Sequence, residues 1–179
     1  MIVPMRGIVV KSTGSSYLVY TDDGNMRECI IKGNFRIKGI KSTNPVAVGD
    51  YVQLSVASAD VPAYIVDIEE RRNYIIRRSS NLSKQSHILA CNLDLCLLVV
   101  TVNHPETSTV FIDRFLASAR AYRIPVTLLF NKVDLYNETE IQRLDELIEL
   151  YKSVGYDCLT CDALHGKGID EILTRLKDK

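Results

Sequence analysis

Ile124-Pro-Val-Thr-Leu-Leu-Phe-Asn-Lys-Val-Asp-Leu135 is the stretch around which the chain is organised. Residues 126–131 open it as a nearly unbroken apolar run, the pattern of a strand buried on both faces of a parallel sheet. Asn131, Lys132 and Asp134 follow at its C-terminal end. In an open α/β sheet that edge is where ligands bind. Asn and Asp also serve plain turn chemistry, so a polar turn after a strand is the alternative reading of the same residues.

The spacing Asn131-Lys132-x-Asp134 resembles the guanine-specificity motif of the GTPase superfamily. Guanine presents N1–H and its exocyclic amino group side by side, and one ionised carboxylate, here Asp134, can accept both. Adenine offers an acceptor at N1 and no N2 amino group, so the carboxylate would be left desolvated and unpaired, a mismatch that discriminates strongly. Asn131 would brace the turn and reach the base edge. The stem of Lys132 would lie along the base face.

The 179 residues suffice for one or two domains with a core. Apolar content of 46 % and charged content of 25 % are those of an ordinary globular protein. No apolar run approaches membrane length, and Met1-Ile-Val-Pro-Met5 lacks the apolar region of a signal peptide, which predicts a cytoplasmic protein with no membrane partner. Residues 1–78 carry 11 Lys/Arg against 8 Asp/Glu, and residues 79–179 carry 11 against 14. The front half therefore suits an anionic partner better than the back half. Five cysteines are an odd number without an export signal, which argues against disulfides. Cys158-Leu-Thr-Cys161 has metal-pair spacing, but it falls in a strand pattern, where residues three apart face opposite ways, and no second pair completes a zinc site. Cys91 and Cys96 read as core.

Taken in order, residues 6–11, 16–20, 26–32, 51–56 and 63–68 read as short strands between turn compositions such as Ser12-Thr-Gly-Ser15 and Asp22-Asp-Gly-Asn25. Five strands without a helix pattern predict a small closed barrel of the OB-fold kind over residues 1–78. Arg36 and Lys38, beside Phe35, form a basic loop suited to nucleic acid. A solvated loop with Phe35 packed inward is the alternative. Arg71-Arg72-Asn-Tyr-Ile-Ile-Arg77-Arg78 adds four basic residues that could grip a phosphate backbone, and residues 79–88 read as a linker. From residue 89 the period changes. Strands at 93–102, 126–131 and 157–161 alternate with helices at 109–122, 138–154 and 169–176, with Asn137 a candidate N-cap. That order predicts a parallel sheet with right-handed crossovers, and so a β domain followed by an α/β domain.

Asp162-Ala163-Leu164 follows the third strand, 32 positions beyond Asn131 for Ala163. In GTPases a Ser-Ala-Lys or Ser-Ala-Leu loop at about this place offers a backbone N–H to guanine O6; Ala163 matches, and Asp162 stands in place of the Ser. No Gly-x-x-x-x-Gly-Lys-[Ser/Thr] and no Asp-x-x-Gly occurs, so a phosphate cradle and a magnesium-sensing loop are missing from these residues.

That arrangement resembles the ribosome small subunit-dependent GTPase A family, circularly permuted GTPases in which the base-recognition half precedes the phosphate-binding half. The likeness runs along essentially the whole chain, through Arg6-Gly-Ile-Val-Val-Lys11, Gly33-Asn-Phe-Arg36, Val46-Ala-Val-Gly-Asp50, Arg71-Arg-Asn73, Ala90-Cys-Asn-Leu-Asp94, Ile112-Asp-Arg-Phe-Leu116 and Asn131-Lys-Val-Asp-Leu135. The resemblance implies an N-terminal OB-fold followed by part of a circularly permuted P-loop GTPase domain, in a chain cut before the phosphate-binding loop. It implies a GTP-hydrolysing assembly factor of the small ribosomal subunit that binds GTP or GDP, touches ribosomal RNA through the barrel and linker, and is monomeric at full length. Magnesium and a zinc ion are implied for the full-length family and by no residue here. The isolated chain is expected to bind GTP weakly and not to turn it over. A non-enzymatic RNA-binding module, its α/β half a docking platform, is the alternative. His87, His104 and His165 receive no role.

Overall fold

The computed structural model describes residues 3–31, 45–56, 61–78 and 86–179, which form two compact units, Met1–Leu93 and Asp94–Lys179. In the first, β1 (Val3–Ser12), β2 (Tyr17–Thr21), β3 (Met26–Ile31), β4 (Tyr51–Val56) and β5 (Ala63–Ile68) close a barrel in the order β1-β2-β3-β5-β4, as the turn spacing predicts. All neighbours pair antiparallel except β3 and β5. Alternation fills the interior: Val9, Val19, Cys29, Val52, Leu54 and Ile65 are buried and pack together. Register shifts at Val9/Lys11 and Gln53/Leu54 mark bulges, which let long strands bend around a barrel. A Cβ on Gly7 would stand 2.5 Å from Val19 Cγ1 and 2.7 Å from the Tyr20 carbonyl oxygen, so only glycine allows β1 this close to β2.

The stretch after the barrel departs from the linker expected at 79–88. β6 (Tyr74–Arg78) and β7 (Ser86–Cys91) form an antiparallel pair, and Ala90 also bridges Val48. Residues 86–88 are thus strand, 89–91 belong to the first unit, and 79–85 lie outside the described residues. The pairing depends on partners over forty residues away for Ala90, a signal that local composition does not carry.

Asp50 is the polar centre of this unit. It is fully buried, and Arg71 grips it with both arms, Nε to Oδ1 at 2.7 Å and Nη2 to Oδ2 at 2.7 Å. Oδ2 also accepts the Ala47 N–H at 2.8 Å, Oδ1 receives the Cys91 thiol at 3.0 Å, and Arg71 Nη2 donates to the Pro45 carbonyl. Burial, then the Asp50 carboxylate, push the Cys91 thiol up to about 12. The constellation joins the 45–50 turn, the segment after β5 and the end of β7. Gly49 tightens it: its φ is +90°, and a Cβ there would collide with the Cys91 carbonyl.

In the second unit β8 (Cys96–Val100), β9 (Val126–Phe130) and β10 (Asp157–Thr160) form a parallel sheet in the order β10-β9-β8, interleaved with α1 (Thr109–Ala121), α2 (Glu138–Ser153) and α3 (Ile169–Leu176). The β-α-β-α-β-α order is the one that the periodicity predicts. β9 is central and buried at all five positions, which is what its unbroken apolar run requires. Ser108 and Asn137 cap α1 and α2, and Asn137 forms a full capping box with Glu140. Ile172 of α3 joins Leu129, Leu159 and Cys161 in a small core. No helix among the described residues is long and apolar enough to cross a membrane.

Candidate functional site

The sheet delivers two loops to the C-terminal end of β9. Asn131 leaves the strand with its N–H on the Val100 carbonyl at 2.9 Å. Lys132 then adopts a left-handed conformation, φ +65°, and a short 3₁₀ turn over Val133–Leu135 carries Asp134. The turn is tied to the neighbouring strand by the Val133 N–H, which donates to the Cys161 carbonyl at 3.3 Å. The buried Tyr136 clamps it from below: its hydroxyl donates to the Asn131 carbonyl at 2.6 Å and accepts the Val102 N–H at 2.9 Å. Burial, only partly offset by the Val102 N–H, raises that phenol's pKa, so it remains a donor.

The second loop follows β10 and meets the first at Asn131. Asn131 Oδ1 accepts the N–H of Lys132 at 2.8 Å, the N–H of Ala163 at 3.2 Å and the thiol of Cys161 at 3.2 Å. Its carbonyl oxygen is thereby committed to the protein, while its Nδ2 amide has no partner among the described residues. Asp134 accepts no hydrogen bond from the described residues; the His165 ring stands off it, Nδ1 to Oδ2 at 3.8 Å. Lys132 Nζ donates to the His104 carbonyl. Among the described residues the result is a small polar rim of one free amide and one free carboxylate, with the Ala163 N–H on Asn131 Oδ1 beside them, held on a rigid strand end.

The loop after β10 closes on itself. Asp162 and Lys167 exchange backbone hydrogen bonds at 2.9 and 3.0 Å. Gly168, φ +80°, passes so close to the Thr160 carbonyl that a Cβ could not fit. Asp162 is almost fully buried. Its Oδ1 accepts the N–H groups of Leu164 and His165 at 3.1 Å each, and Oδ2 meets His165 Nδ1 at 2.5 Å. Burial works to raise its carboxyl pKa, but those two N–H groups and the ring outweigh it and hold the carboxyl below the usual range.

The site residues expected from sequence, Asn131, Lys132, Asp134 and Ala163, therefore come together at one strand end. The expected RNA-facing residues do not form one set. Arg36 and Lys38 lie outside the described residues. Arg71 is corrected to a structural role, because its side chain is only 8 % exposed and is held by Asp50. Arg72 is exposed and donates to the Asn92 carbonyl at 3.0 Å. Arg77 and Arg78 lie in β6, opposite His87 and Ser86. Sequence reasoning passed over Tyr136, whose clamp depends on tertiary contacts, and the Asp162–His165 pair, whose three-residue spacing is an Asx-turn signal in itself.

Residues 68–179 match the model described as RsgA GTPase, and residues 6–65 match that of the RsgA N-terminal domain. The chain belongs to the RsgA GTPase family. It is 65 % identical over 175 residues to the small ribosomal subunit biogenesis GTPase RsgA of Bacteroides fragilis, covering 98 % of this chain and 56 % of that protein. The RsgA of Porphyromonas gingivalis is 55 % identical over 176 residues, with the same coverage. Among solved structures, YjeQ from Thermotoga maritima superposes with a TM-score of 0.77 at 32 % identity, over 99 % of this chain and 58 % of that one. YloQ, described as a circularly permuted GTPase, gives 0.70 at 27 % identity, over 98 % and 57 %. The chain thus spans a little over half the length of the RsgA relatives it matches.

Proposed function

We propose that this chain supplies the guanine-recognition and RNA-contacting parts of a ribosome-stimulated GTPase that acts in late assembly of the small ribosomal subunit. The observation that carries the reading is the rim at the end of β9. Among the described residues Asp134 has no hydrogen-bond donor and the Asn131 amide no acceptor, and the Ala163 N–H stands beside them on Asn131 Oδ1. Guanine offers two adjacent N–H donors to Asp134 and an acceptor at N7 to the Asn131 amide, and its O6 would share the Ala163 N–H with Asn131 Oδ1. The stem of Lys132 flanks the base face.

GTP and GDP are the proposed ligands. Most of a nucleotide's binding energy comes from its phosphates and metal, and no phosphate-binding loop occurs in these 179 residues. The chain alone is therefore expected to bind guanine nucleotides weakly and not to hydrolyse them. Magnesium and zinc belong to the proposal for the full-length family only. The barrel, with Arg36, Lys38, Arg72, Arg77 and Arg78, is proposed to face ribosomal RNA, in a cytoplasmic protein that is monomeric at full length. The relatives named as small ribosomal subunit biogenesis GTPases support this reading.

Titration of GMP and AMP into the chain, followed by NMR, tests the core of the proposal. Shifts confined to Asn131–Leu135 and the 162–166 loop with GMP, and weaker or absent with AMP, are expected. Equal response to both bases would overturn guanine recognition and leave the RNA-binding module as the better account.

A further inference from the structure

The rim carries one more negative charge than a base needs. Asp134 must be ionised to accept two N–H groups, and Asp162 is ionised beside it, its carboxyl held low as described. Donor atoms of Asp134, Asp162 and His165 all lie within 4.8 Å of one another. A base docking on Asp134 removes water from that carboxylate and strengthens whatever repulsion Asp162 exerts. The cation of the motif, Lys132, is engaged elsewhere, on the His104 carbonyl. The remaining group at hand is the His165 ring.

Its geometry suits the task. An ionised carboxylate only accepts, so the proton in the 2.5 Å contact between His165 Nδ1 and Asp162 Oδ2 belongs to the ring. The same Nδ1 stands 3.8 Å from Asp134 Oδ2, beyond hydrogen-bond reach, so the ring does not occupy the oxygen that a base would use. The backbone N–H of His165 holds the other Asp162 oxygen, which anchors the residue beside the pair.

Building on the guanine reading above, we propose that His165 is a positioning residue of the base pocket. Its Nδ1–H, donated to Asp162 Oδ2, partly offsets the charge of that carboxylate and keeps Asp134 free for the base. The carboxylate at position 162 and the imidazole at 165 then work as one unit, and the carboxylate alone is worse than neither. Asp162 without His165 leaves two unscreened carboxylates at the rim, whereas a hydroxyl at 162 could accept the same turn N–H groups without a charge.

The test is GMP affinity of the intact chain by NMR titration in low salt. A partly exposed hydrogen bond to a carboxylate is worth up to about fivefold in affinity. His165→Ala is expected to weaken GMP by about that factor, and Asp162→Ser added to it is expected to restore most of the loss. Raising the salt to about 0.5 M, where charges several ångströms apart are screened, is expected to shrink the His165→Ala deficit. A merely structural disturbance of the loop would not respond to salt. Unchanged affinity in His165→Ala would overturn the proposal, as would a deficit that neither salt nor Asp162→Ser relieves. Failure of the guanine reading looks different: the unaltered chain would not prefer GMP over AMP, and Asp134→Ala would change nothing.

Discussion

Two carboxylates, one in each unit, show how the same side chain is used in opposite ways. Asp50 is fully buried, and arginine, a backbone N–H and a thiol fill its acceptor sites. Asp134 stands on a rigid turn at a strand end with no donor from the described residues. A buried charge with every acceptor matched is a structural device, because removing one partner leaves the other uncompensated. A carboxylate left unmatched at a strand end suits the proposed role of accepting donors from a ligand. Asp162 lies between the two: it is buried like Asp50, but its ring partner is two-thirds exposed and touches the rim.

Replacing either partner of the Asp50 pair should give the largest effect. Arg71→Met strands a buried carboxylate and is expected to cost the first unit about 3–5 kcal/mol, read as a shifted urea midpoint. A loss under about 1 kcal/mol would erase the contrast with Asp134. Asp134→Asn should leave stability unchanged and exchange the base preference. Xanthine has a carbonyl where guanine has the amino group, and an amide can donate to it. The ratio of guanosine to xanthosine affinities should fall by about a hundredfold, checked by paired NMR titrations. A variant that unfolds instead would place Asp134 with Asp50.

Tyr136→Phe tests whether the strand end must be braced. It leaves the Asn131 carbonyl and the Val102 N–H without their shared hydroxyl and should cost about 1–2 kcal/mol in thermal or urea unfolding. GMP binding should weaken with it, since the turn carrying Asp134 loses its clamp. Asn137→Ala is the smallest change. Losing the capping box of α2 should cost about 1 kcal/mol with no effect on base preference. A change of preference there would mean that the site depends on the helix start as well as on the strand end.

Much of this was legible in the chain because it rests on local pattern. The alternation at 17–21 and 63–68, the turn glycines and the apolar run at 126–130 place barrel strands and a central parallel strand, since backbone periodicity alone decides which faces are buried. Asn131, Lys132 and Asp134 follow that strand at fixed spacing, so their convergence needed only the strand to be right. Tertiary structure decided the rest. A basic run at 71–78 reads the same whether its charges meet solvent, phosphate or a buried carboxylate; only the fold brings Arg71 to Asp50, twenty-one positions away. Residues 86–91 pair with 74–78 because of partners that composition does not name. His165 has a local turn partner in Asp162, but it comes beside Asp134 only where the loops after β9 and β10 meet. Local chemistry is written in order along the chain, but which charges offset one another depends on distances that close only on folding.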